Sequence, residues 1–246
     1  MNEFLNERKK IAKIFLLSLI ILSCASCSSV FYYPDSRDYF SPEQFALEHQ
    51  EVFFESTDST KLNAWWIKRD ASFKQSNGLI VFFHGNAQNI SSHFLHLAWL
   101  TKKGFDLFIF DYRGYGKSEG APHQEGLYQD GLSALDYAYN EIYKKENISK
   151  FIVYGHSLGG IVAGRSLYDF NKKDDVSLFV LEGTFSSYQD IAFGKLKSNA
   201  LTFLISPLAY VLVTDAYASE NVLSRYDMPV LVIHGEQDET VVTHYG

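Results

Sequence analysis

Cysteine is almost absent from this chain. Of its 246 residues 2 are cysteine, Cys24 and Cys27, and both lie near the N-terminus. Everything after residue 27 therefore folds without a disulfide and must hold together through its core. A metal or redox pair at these two cysteines is disfavoured, because nothing further along the chain completes such a site. A basic surplus is missing too. The net charge is −7, with no basic cluster able to neutralise phosphates, which argues against nucleic acid as a partner. Repeats and low-complexity tracts are also lacking. The apolar run Ile14–Leu22 is shorter than the roughly 20 residues that span a bilayer.

What is present at the N-terminus points to export. Arg8, Lys9, Lys10 and Lys13 precede Ile14–Leu22, and the small residues Ser23, Ala25 and Ser26 follow, in the order of a secretory signal peptide. Ile-Leu-Ser-Cys24 and Cys-Ala-Ser-Cys27 each resemble a bacterial lipobox, in which the cysteine carries the lipid. The residue three places upstream favours Cys24 and the residue two places upstream favours Cys27, so the attachment point is Cys24 or Cys27. Ordinary cleavage beside incidental cysteines is the alternative. The expected organisation is a signal peptide over 1–27, a tether or irregular lead-in over 28–48, and one domain over 49–246. The protein is expected to be an exported, membrane-anchored lipoprotein of the cell envelope.

With 46% hydrophobic and 21% charged residues, the chain suits one α/β domain. Glu51–Phe54 and Leu62–Lys68 read as a hairpin around the polar turn Ser56-Thr57-Asp58-Ser59. Gly78–Phe83, Phe105–Phe110, Phe151–Tyr154, Val176–Leu181 and Val230–Ile233 are apolar runs expected of buried strands. Between them, helices are expected over Ser91–Lys103, Glu125–Lys145 and Ile161–Phe170. Strands alternating with helices imply a mostly parallel, doubly wound sheet with its site at the strands' C-terminal ends. Asn199–Val213 is apolar on every side and interrupted by Pro207. It is expected as a helix packed on the domain, with a lid or membrane-surface contact as the alternative.

The most informative stretch is Lys150–Gly164, KFIVYGHSLGGIVAG. It places Gly155-His156-Ser157-Leu158-Gly159 between a strand and a helix, the setting of a nucleophile elbow. A serine on such a turn is lifted clear of the sheet above a helix N-terminus. Strand and helix cross closely enough that only glycine fits two residues away on each side.

From these residues the chain resembles the α/β-hydrolase superfamily, and in particular bacterial lipoproteins with serine aminopeptidase-like or lysophospholipase-like domains. The resemblance runs from about Phe53 to the end. It implies Ser157 as nucleophile and the backbone N–H groups of Asn86 and Leu158 as oxyanion hole, since His84-Gly85-Asn86 follows a buried strand. His84 and His156 are expected to be structural. Asp111-Tyr112-Arg113-Gly114-Tyr115-Gly116-Lys117-Ser118 matches the family's D-x-R-G-x-G-x-S loop and reads as scaffold.

In His234-Gly235-Glu236-Gln237-Asp238, Asp238 matches the triad aspartate, with Glu182 as the competing acid. The family's histidine lies one strand further on, and His244 is not promoted to that role. The expectation is therefore a sheet whose last strand and histidine loop are missing up to Gly246, and a chain without its base. The resemblance implies cleavage of a carboxylic ester, thioester or small amide through an acyl-enzyme, with no cofactor or metal. The competing class is an inactive envelope lipoprotein that keeps the fold for binding.

Overall fold

The structure, a computed structural model, describes residues 32–198, 200–219 and 222–238. The expectations on Cys24, Cys27 and His244 lie outside these residues. β1 (His49–Glu55) and β2 (Lys61–Ile67) form the expected hairpin, and β3 (Gly78–Phe83) and β4 (Phe105–Phe110) fall where their apolar runs predict. β5 (Phe151–His156), β6 (Val176–Glu182) and β7 (Val230–Ile233) complete one sheet of 7 strands in the order β1-β2-β4-β3-β5-β6-β7. β1 and β2 pair antiparallel, as do β2 and β4, and the remaining pairs are parallel.

Alternation along each strand divides the core between the two faces. Leu79, Val81 and Phe83 of β3 join Val153, Leu127 and Ile161 on one side. Ile80 and Phe82 join Ile109, Ile90, Phe94 and Leu97 on the other.

The helices first depart from expectation after β3. α1 covers only Ile90–His93, and the chain continues as 3-10 turns over Phe94–His96 and Ala98–Lys103. Phe94, Leu97 and Leu100 face the sheet at every third position, a spacing that suits the 3.0-residue turn better than the α-helix. α2 (Gln124–Tyr137) passes into a π-helical stretch over Ala138–Tyr143, and α3 (Leu158–Asp169) starts at the serine turn.

Residues 32–48 are the irregular lead-in rather than a free tether. Phe40 N–H donates to Ser91 O and Gly116 N–H to Asp35 O, while Asn89 Nδ2 donates to both Asp35 O and Arg37 O. After β6, α4 (Tyr188–Ser198) leads into a 3-10 turn (Phe203–Leu208) and α5 (Ala209–Leu212). The single packed helix expected over Asn199–Val213 is thus broken around Pro207, and most of its large side chains stay exposed. β7 likewise differs from the buried strand expected. It pairs with β6 alone among the described residues, and Val230, Leu231, Val232 and Ile233 remain 40–61% exposed.

Candidate active site

Ser157 occupies the turn between β5 and α3 with φ 52° and ψ −119°. A non-glycine residue in that region costs about 1–3 kcal/mol and persists only where its surroundings enforce it. Those surroundings are visible. Ser157 N–H donates to Glu182 O (2.9 Å), and Thr184 Oγ1–H and Gly160 N–H donate to Ser157 O at 2.8 Å and 3.0 Å. The flanking glycines have no room for a side chain. A β-carbon on Gly159 would stand 2.0 Å from Phe83 O, and one on Gly155 would stand 2.6 Å from Gly160 Cα.

The same tight contact at Gly159 sets the start of α3 against the end of β3, and so beside the loop that carries Asn86. Leu158, the first residue of α3, has an N–H with no acceptor inside its own helix. Asn86 is pinned from three directions. Its Oδ1 accepts from Tyr33 N–H (3.0 Å), Ala87 N–H (2.9 Å) and Tyr115 O–H (2.7 Å). Ala87 and Gln88 follow with φ of 65° and 56°, so this loop is strained like the serine turn.

His84 is fully buried beneath the loop, its Nδ1 2.8 Å from Gly85 O and its Nε2 3.5 Å from Asp111 Oδ1. His156 lies under the same loop, with Nδ1 3.0 Å from where a Gly85 β-carbon would be. Burial lowers His84, His93 and His156 to about 4, which keeps these rings neutral at pH 7.

The two candidate acids are placed differently. β6 and β7 end side by side, with Gly183 N–H donating to Ile233 O (2.9 Å), and Asp238 Oδ2 lies 3.5 Å from the β-carbon position of Gly183. Asp238 therefore stands against Gly183, the residue after Glu182, whose carbonyl holds Ser157 N–H. His234 Nε2 is 3.7 Å from Asp238 Oδ2. The Glu182 carboxylate is instead engaged by Tyr154 O–H (2.6 Å) and His96 Nε2 (2.5 Å). Desolvation pushes Glu182 up, but these hydrogen bonds and the charge of His96 outweigh it and leave the carboxyl below its ordinary range.

The Asp111–Ser118 loop braces the site from outside it. Asp111 Oδ1 accepts from Ile90 N–H (2.9 Å), and Ser118 Oγ–H donates to Asp111 O (2.8 Å). Burial raises the Asp111 carboxyl to about 7. Arg113 does not pair with Asp111. It donates to Asp130 through Nη2 (2.8 Å) and to Asp58 through Nη1 (2.8 Å), joining the first hairpin turn to α2. The sequence reading did not single out Thr184, Tyr115 or Tyr33. Each holds the site through a non-local bond that no local motif announces.

Fold and strained elbow together define an α/β-hydrolase. The chain belongs to the serine aminopeptidase S33 family of hydrolases, whose model matches residues 74–218. It is 32% identical to the uncharacterized protein YfhR of Salmonella typhi over 96% of this chain and 81% of that one. Identity is 33% to the α/β hydrolase domain-containing protein WAV2 of Arabidopsis thaliana, covering 84% of this chain and 67% of that one. Among solved structures, the esterase Pf2001 of Pyrococcus furiosus superposes with a TM-score of 0.67 at 19% identity, over 87% of this chain and 80% of that chain. Est1E of Butyrivibrio proteoclasticus, with ferulic acid bound, gives a TM-score of 0.60 at 19% identity, over 78% and 82% of the two chains.

Proposed function

We propose that this hydrolase cleaves a carboxylic ester, thioester or small amide through an acyl-enzyme on Ser157. The observation that carries this is the enforced φ of 52° at Ser157, directly before the first N–H of α3. In the reaction Ser157 Oγ attacks the carbonyl carbon and its proton passes to a general base. The alcohol, thiol or amine leaves with a proton, and water then releases the acid. Asn86 and Leu158 N–H groups stabilise the oxyanion. Asp238 is the acid that orients the base, a choice supported by the commitment of Glu182 to Tyr154 and His96. One structural neighbour, Pf2001, is named an esterase, which supports ester chemistry.

The alternative is a non-catalytic lipoprotein that binds through the same fold. Fluorophosphonate labelling separates the two, using the chain carried through whatever in-frame codons its gene contains. Labelling that disappears in Ser157→Ala and falls sharply in Asp238→Asn, but survives in Glu182→Gln, is the expected result. Labelling indifferent to Ser157 would sink the enzyme reading, and none at all in the parent would favour binding. We also place the protein at a membrane, held through lipid on Cys24 or Cys27, from the basic, apolar and small-residue order of the N-terminus.

A further inference from the structure

We infer that the excursion from α4 through Asp215 is a membrane-docking surface that lies on the same bilayer as the N-terminal anchor. From residue 199 to residue 213 the chain carries no charged side chain. Its orientation is inverted for a segment surrounded by water. The small Ser206 and Ala209 are the buried residues, at 4% and 2% exposure, whereas Leu201, Leu204 and Val211 stand out at 93%, 87% and 78%. Phe203, Leu208 and Tyr210 are 47–51% exposed as well, more apolar surface in one short segment than singly scattered surface leucines account for.

The excursion is built to hold this surface outward. Asp215 accepts from Ser187 Oγ–H (2.7 Å), Tyr188 N–H (2.7 Å) and Gln189 N–H (3.1 Å), closing its two ends together. Gln189 Nε2 donates to Val213 O (2.8 Å) and Tyr210 O–H to Asp190 Oδ1 (2.9 Å). Both acids of the excursion are thus committed to internal hydrogen bonds. Its two cations, Lys195 and Lys197, are exposed in the last turn of α4, the turn that leads into the apolar segment. An apolar segment entered through cations suits an anionic lipid surface. No helix among the described residues is long and apolar enough to cross a bilayer, so the segment lies on the membrane instead of spanning it.

Lipid is favoured over a second copy of the chain by where the N-terminus enters. Tyr32 is buried and hydrogen-bonded to Tyr188, the first residue of α4. A lipid on Cys24 or Cys27 is separated from Tyr32 by at most roughly 20–30 Å of extended chain, at about 3.3–3.6 Å per residue. The anchor therefore reaches the domain at the base of the apolar excursion and holds it close to the bilayer. This inference rests on the membrane placement proposed above, and its test keeps the two apart.

The test places a tryptophan in the excursion of the full chain with Leu204→Trp, and separately with Val211→Trp. Both positions are exposed, and the parent's 3 tryptophans supply the background to subtract. The protein is reconstituted into vesicles of phosphatidylcholine and phosphatidylglycerol with brominated acyl chains. A ring buried about 5–10 Å into the headgroup–acyl boundary should lose roughly half its added emission to bromine and be shielded from iodide. A chain that sediments with the vesicles while both added rings stay unquenched and open to iodide overturns the docking surface but leaves the anchor. Shielding from iodide without bromine quenching, together with concentration-dependent dimerisation, overturns it in favour of a second copy. A chain that does not sediment with vesicles overturns both.

Discussion

At the scale of single residues, the site is held by strain and by buried protonation states. Ser157 stays at φ 52° because Glu182, Thr184 and Gly160 fix its backbone from both sides. Glycine adopts that region freely, so Ser157→Gly should raise stability by roughly 1 kcal/mol in urea unfolding, net of glycine's entropy in the unfolded chain. Destabilisation by the same substitution would mean that the turn is not strained.

The buried rings give a pH signature of determined sign. His84, His93 and His156 move from 6.5 to about 4 on folding, so the unfolded chain binds their protons first. Their contribution is complete above pH 6.5 and declines as pH falls towards 4. Asp111 runs the other way. Raised from 3.8 to about 7, it favours the protonated folded state, and stability is lost as pH climbs through that window. Asp58, held at about 2 chiefly by hydrogen bonds from Arg113, loses its contribution only below 3.8. Asp111→Asn keeps an acceptor for Ile90 N–H and removes the opposing titration. Its urea midpoint should therefore rise more steeply than the parent's between about pH 5 and pH 7. Parallel curves would show that Asp111 does not titrate in the fold.

At the scale of elements, the crossing of β3, β5 and α3 sets the site. The 2.0 Å approach of a Gly159 β-carbon to Phe83 O involves backbone on both sides, which cannot swing aside. Gly159→Val should cost on the order of 3 kcal/mol or more, read as a lowered thermal midpoint or loss of soluble protein. A variant as stable as the parent would separate the helix from the strand. Most of this was legible in the sequence. β3 and β4 fall on their predicted residues because a strand buried on both faces is a continuous apolar run with sharp ends. Ser157 was legible because the elbow's glycines are dictated locally. The 3-10 breaks after α1 were not, since a three-residue spacing over so short a span looks helical. Nor was the bracing of Asn86, because Tyr33 and Tyr115 reach it from 53 and 29 residues away. A sheet expected without its last strand leaves an exposed edge, and β7 is that edge among the described residues.

At the scale of the whole molecule, the lead-in and the apolar excursion meet at one place, the Tyr32–Tyr188 contact against the core. Cys24 and Cys27 lie 8 and 5 residues before Tyr32, so whatever holds either of them holds the whole domain. A single acyl chain gives only marginal, reversible membrane binding, whereas two or more give a firm hold. The apolar face of the excursion adds to either, but alone it supplies only the reversible share. Replacing both cysteines by serine should therefore move the protein from the membrane pellet to the soluble fraction, with weak rebinding to anionic vesicles at low salt. The single variants identify the attachment point, since only one of Cys24→Ser and Cys27→Ser should reproduce the release. If the double variant still sediments with membranes after a high-salt wash, lipid on these cysteines is not the anchor. The apolar run Ile14–Leu22 would then have to hold the chain despite its length.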